Sequence, residues 1–123
     1  MEIKYADDKL QEQCTSLKAA QKLFGGDKAH AVSLLARVNA LQSAETIKDI
    51  SVQPQFRFHK LENKGRKALE GYFAIDVRNR TSPWRLIIQP LDDNGEPFVP
   101  CNIDEVADSV RIVGIVEVSR HYE

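Results

Sequence analysis

Met1, Ile3 and Tyr5 alternate with Glu2 and Lys4, the period-two pattern of a short half-buried strand. The period then lengthens. Leu10, Cys14, Leu17, Ala20 and Phe24 recur every three or four residues, which predicts a helical stripe, with Thr15 and Ser16 placed to cap a break within it. Gly25-Gly26 supplies the stop. Asp27 is a suitable N-cap for a second helix, whose Ala31, Leu34, Leu35, Val38 and Leu41 form one apolar face through about Gln42. Two such segments joined by a short link predict an antiparallel helical hairpin.

Ser43 is placed to cap one further turn, AETIK, before Pro54 excludes helix and the pattern returns to period two. Phe56 and Phe58 then point one way, and Arg57 and His59 the other. Phe73, Ile75 and Val77 alternate with Tyr72, Ala74 and Asp76, and Trp84, Leu86 and Ile88 with Arg85, Ile87 and Gln89. Val110 to Val118 is apolar on both faces except at Arg111 and Glu117, as an interior strand would be. DDNGEPFVP carries a turn signal, and IDEVADS fits a short helix or a loop equally. The order predicts an α+β domain with an N-terminal helical hairpin packed on one face of an antiparallel β-sheet. Arg57, His59 and Arg85 share one parity, opposite Phe58 and Leu86, and are expected on the uncovered face.

A chain of 123 residues, 42% hydrophobic and 28% charged, fits a single domain over residues 1–123. A mean hydropathy of -0.39 and the lack of a long apolar run predict no membrane span. The opening MEIKYADDKL does not read as a signal peptide, so a cytoplasmic location is expected. Cys14 and Cys101 form no Cys-x-x-Cys pair and read as buried thiols. His30, His59 and His121 show no metal-ligand spacing, so neither metal nor cofactor is expected.

The net charge of -1 hides an uneven distribution. Residues 1–55 carry seven cations and seven acids. Residues 57–85 carry Arg57, Lys60, Lys64, Arg66, Lys67, Arg78, Arg80 and Arg85 against Glu62, Glu70 and Asp76, an excess of five. The remainder sets Arg111 and Arg120 against eight acids. A basic centre thus precedes an acidic segment.

Such a centre suits phosphate chemistry. Cleaving RNA without a metal requires groups that deprotonate a ribose 2′-hydroxyl, neutralise charge on pentacoordinate phosphorus and protonate the leaving 5′-oxygen. Arg offers a planar, permanently charged fork to phosphate, and a Lys or His among other cations has its pKa lowered towards that of a base. His59, Lys60, Lys64, Arg66, Arg85, His121 and Tyr122 meet these needs if their strands are neighbours. A solvated basic turn is the simpler alternative, with Trp84 as a packing residue and His30 without a role.

The ordered set HK at 59–60, LENKGRKALEGYFAIDV at 61–77, PWRLII at 83–88 and IVGIVEVSRHYE at 112–123 resembles the HigB-like branch of the RelE/ParE toxin superfamily, the killer proteins of bacterial type II toxin–antitoxin modules. The lead-in KLQEQC and ALQSAETIKDI is similar to that branch as well, so the resemblance spans nearly the whole chain. His59 takes the place of the family's first histidine, Lys64-Gly65 and Arg66 that of Lys-Gly and Arg, Gly71-Tyr72 that of Gly-aromatic, and Trp84-Arg85 that of aromatic-Arg. His121-Tyr122 fills the terminal pair, in inverted order and after Arg120 where Asp is usual. The connection from His59 to Gly71 is also longer than the family's.

The resemblance implies an mRNA interferase, a metal-independent endoribonuclease acting on mRNA, usually at the ribosome, and neutralised by a helix-turn-helix, HigA-like antitoxin through which alone it meets operator DNA. It implies that Arg85 holds the scissile phosphate with Arg66 as second clamp, that His59 or Lys64 is the base, and that His121 or Tyr122 is the acid. Arg57, Lys60, Lys67, Arg78 and Arg80 are the expected RNA-binding cations. Two alternatives use the same fold without catalysis: a module that binds a protein target such as gyrase, and one that only joins its antitoxin on operator DNA.

Overall fold

The computed structural model describes residues 1–62 and 69–120. Strand β1 (Glu2–Tyr5) leads into helices α1 (Asp8–Thr15), α2 (Leu17–Leu23) and α3 (Lys28–Ser43), followed by the single turn α4 (Lys48–Ser51). Strands β2 (His59–Lys60), β3 (Phe73–Asp76) and β4 (Arg85–Leu91), the turn α5 (Ile103–Val106) and strand β5 (Ile112–Ser119) complete the order. The architecture is α+β.

Local chemistry sets the helix ends. The Asp7 carboxylate accepts from the Leu10 N–H at 2.8 Å to start α1. Ser16 then adopts an extended backbone and its hydroxyl accepts from the Ala19 N–H, so the apolar stripe from Leu10 to Phe24 is two helices, broken where Thr15 and Ser16 place a cap. Gly26, at φ +97°, donates to the Gln21 carbonyl at 2.8 Å and closes α2, a conformation that a side chain would resist. The Asp27 carboxylate accepts from the His30 N–H at 3.1 Å and opens α3.

The sheet order is β1-β5-β4-β3-β2. Three pairings are antiparallel, but β1 runs parallel to β5 (Glu2 opposite Ile112, Tyr5 opposite Ile115), so the sheet is mixed rather than antiparallel throughout. A parallel pair needs a long crossover, and the helices lie between β1 and β5 in the chain. Phe56 also departs from its expected strand. It ends a 3-10 turn over Pro54–Phe56, after which Arg57 takes a left-handed conformation at φ 47°, and only His59–Lys60 remains as β2.

Alternate sheet residues separate into two clusters. Phe73, Ile75, Val77, Leu86, Ile88, Val113 and Ile115 join Leu10, Cys14, Ala20, Phe24, Ala31, Leu34, Val38 and Leu41 of the helices in the main core. Ala74 and Ile87 belong to a smaller cluster with Leu61 and Leu69, flanked by half-buried Tyr72 and Val116. The second face of the sheet is therefore not open along its whole length. A register shift between Ile87 and Ile88 lets β5 carry the additional residue. Among the described residues, no helix is long and apolar enough to cross a membrane.

Candidate functional site

Strand register builds the site. Asp76 of β3 lies opposite Arg85 of β4, and Arg85 opposite Ser119 of β5. His59 of β2 lies opposite Ala74, which puts Arg57, two residues earlier, level with Asp76. Asp76 is 2% exposed, and a carboxylate so buried must be paired. Arg57 Nε donates to its two oxygens at 3.0 and 3.1 Å, and Arg85 Nε lies 3.2 Å from Oδ1.

The two guanidiniums differ in what surrounds them. Arg85 is itself buried, and its Nη1 donates to the carbonyls of Ser82 and, at 2.9 Å, Trp84, while its Nη2 donates to that of Arg80 at 3.2 Å. Burial lowers its pKa, opposed by Asp76 and reinforced by Arg57, from a starting value so high that it stays cationic at neutral pH. Arg57 is half-buried at the edge of the cluster. A third guanidinium comes from α3: Arg37 Nε donates to the Asp76 carbonyl at 2.9 Å, and its Nη2 to the carbonyls of Arg78 and Gln55 at 3.3 and 3.4 Å. It lies 4.8 Å over the Phe56 ring, and burial lowers its pKa too.

His59 is tied to this cluster through the backbone. The Arg57 carbonyl is 2.7 Å from His59 Nδ1, and since a carbonyl only accepts, Nδ1 carries the proton. In the neutral ring Nε2 then holds a lone pair. Nε2 is buried and has no hydrogen-bond partner among the described residues. Next to it in sequence, Lys60 is exposed and 3.9 Å from Glu62. His59 and Lys60 line a surface cavity of about 280 Å³ with Phe58, Phe73 and Asp104.

Of the residues expected from sequence, Arg57 and Arg85 are brought together on Asp76, where β3 ends and β4 begins, and His59 joins them only through the Arg57 carbonyl. Arg78 and Arg80 are exposed on the loop between those strands. Lys64, Arg66, Lys67, His121 and Tyr122 lie outside the described residues. Sequence reasoning missed Asp76 and Arg37. Asp76 had left a signal as the one polar residue within FAIDV, and Arg37 stands three residues from the core residue Leu34. His30 also has partners where none was foreseen: Nδ1 lies 2.9 Å from Asp27 Oδ2, and Nε2 lies 2.7 Å from the Ser82 hydroxyl. This links the start of α3 to the β3–β4 loop. Trp84 packs edge-on against Phe24, with centroids 4.9 Å apart.

Among the described residues, no three His, Cys, Asp or Glu side chains gather as metal ligands would. The site offers a histidine whose Nδ1 is held by the Arg57 carbonyl and, on a separate cavity, a group of arginines around Asp76. No family model, curated protein or solved structure matches the chain significantly.

Proposed function

We propose that this chain is a HigB-like toxin of the RelE/ParE superfamily, a cytoplasmic, metal-independent endoribonuclease acting on mRNA and held in check by a helix-turn-helix antitoxin. In this reading its helical hairpin packs on one face of the sheet and its cations meet RNA on the other. The observation that carries it is the His59 ring, whose Nδ1 proton is engaged by the Arg57 carbonyl while Nε2 lacks a partner among the described residues. That fixed tautomer suits a general base.

In this reading RNA binding uncovers the buried His59 Nε2, which takes the proton of a ribose 2′-hydroxyl, whose oxygen attacks the adjacent phosphorus. A 2′,3′-cyclic phosphate forms as the bond to the 5′-oxygen breaks, and that oxygen leaves with a proton assigned to His121 or Tyr122. Arg57 and Arg66 are assigned to the phosphate oxygens. Arg85 lends positive potential from below the surface, because carbonyl groups and Asp76 already engage its guanidinium.

The same burial of Arg85 favours a second reading, in which the cluster is structural and the protein acts by binding a protein target or operator-bound antitoxin. Expression of the wild type, His59→Ala and Arg85→Ala in bacteria, with growth curves and mapping of RNA 5′ ends, separates the two. The nuclease reading expects new 5′ ends that fall about 10²-fold or more in His59→Ala. Growth arrest without new ends would sink it.

A further inference from the structure

Beside the Asp76 cluster lies a cavity of about 430 Å³ lined by Arg37, Arg57, Arg78 and Arg80, with Asp76 as the one carboxylate among its lining residues. Its volume matches roughly a dozen waters, enough for a phosphate group and part of its hydration. Four cations line it against one carboxylate, an excess of positive charge that favours an anion.

The loop that carries two of these cations is held from beneath. Arg37 binds the carbonyls of Asp76 and Arg78, and Arg85 those of Arg80, Ser82 and Trp84. The Asn79 side-chain oxygen accepts from the Thr81 N–H, the Thr81 hydroxyl and the Ser82 N–H at 3.1, 2.8 and 2.9 Å. Two buried or half-buried arginines thus spend their donors on the backbone. Arg78 and Arg80, on either side of Asn79, are exposed, and their side chains form no ion pair among the described residues. Fixing the loop beforehand spares part of the ordering cost that an anion would otherwise meet on binding.

We infer that this cavity is a subsite for a backbone phosphate of single-stranded RNA, next to the phosphate that is cleaved, with Arg57 between the two. The inference rests on the RNA reading above and adds to it: Arg78 and Arg80 grip the strand, with Arg37 holding the Arg78 carbonyl and Arg85 that of Arg80 beneath them. Two guanidinium forks suit phosphate better than ammonium groups do.

The test is fluorescence anisotropy with a labelled all-2′-deoxy oligonucleotide, which lacks the attacking hydroxyl, titrated at several salt concentrations. Arg78→Ala/Arg80→Ala is compared with Lys18→Ala/Lys22→Ala, which removes the same charge from α2. The first pair is expected to weaken binding about tenfold and to make the salt slope shallower by about 0.7, the share of one phosphate on a single strand. The second pair should change binding less than twofold. Equal losses in both pairs, or no loss in the first, would overturn the subsite. Tighter capture of a polyglutamate peptide than of the oligonucleotide would overturn it in favour of an acidic protein partner. Binding of inorganic phosphate alone, with no oligonucleotide affinity, would overturn it in favour of a free anion. Wild-type RNA cleavage with unchanged oligonucleotide binding in the first pair removes the subsite and leaves the nuclease. Arginine-dependent binding without cleavage does the reverse.

Discussion

Arg57, just before β2, grips Asp76, the last residue of β3, with Nε 3.0 and 3.1 Å from the two carboxylate oxygens. The acid is buried and the base only half so, which makes the pair asymmetric. Removing Asp76 takes a counter-charge away from the buried Arg85, whereas a truncated Arg57 still leaves Asp76 beside Arg85. Asp76→Ala is therefore expected to cost about 3–5 kcal/mol in urea unfolding, the penalty of breaking a buried ion pair from one side. Arg57→Ala should cost clearly less. Equal losses in the two variants would contradict this account.

Arg57 also holds a left-handed backbone, at φ 47° and ψ 50°. A side chain there carries a strain that glycine does not, about 1 kcal/mol. Both Arg57→Ala and Arg57→Gly lose the ion pair, but the glycine variant should be the more stable by roughly that amount. Thermal melts of the two proteins side by side decide it.

Asp27, His30 and Ser82 join two distant parts of the chain. A double-mutant cycle with His30→Ala and Ser82→Ala should give a coupling of about 0.5–1.5 kcal/mol in stability, and none if the contact is incidental. The bond from the His30 N–H, with help from the His30 side chain, holds the Asp27 carboxyl below its ordinary pKa. A depressed carboxyl stabilises the fold above its unfolded pKa and loses that effect as pH falls through the folded one. The advantage of wild type over Asp27→Ala should thus be full at neutral pH and shrink in acid below the usual aspartate range.

The Cys14 thiol is buried in the main core, and burial pushes its pKa up to about 12. At neutral pH it is protonated and shielded, so alkylation by iodoacetamide should await unfolding. Above about pH 9 the unfolded chain releases this proton while the folded one retains it. Stability should accordingly decline towards pH 12, and Cys14→Ala should lessen the decline. Cys101 is only half-buried and should react first.

Elements whose signals are local were legible in the sequence. Asp27, Gly25 and Gly26 set the helix ends where their backbone chemistry placed them, and the alternation of Phe73, Ile75, Leu86 and Ile88 named the core face of two strands. What depends on pairing was not legible. Period two in β1 does not reveal that its neighbour is β5 or that the two run parallel. Arg57, Asp76 and Arg85 form one cluster only once β2, β3 and β4 are in register. Arg85 therefore reads in the sequence as an exposed phosphate ligand, and the fold engages its guanidinium with Asp76 and three carbonyls before any ligand arrives.

The parallel pairing of β1 with β5 has a bearing on synthesis. Glu2 cannot meet Ile112 until the ribosome has made nearly all the chain described. β4 likewise waits for β5, its most extensive partner, so a nascent chain holds helices without a finished sheet. Ribosome-arrested chains ending before residue 112 should be cut readily by protease, and those that extend well past Ser119 should resist. On the function proposed, such a protein stays inert while its own message is still being translated.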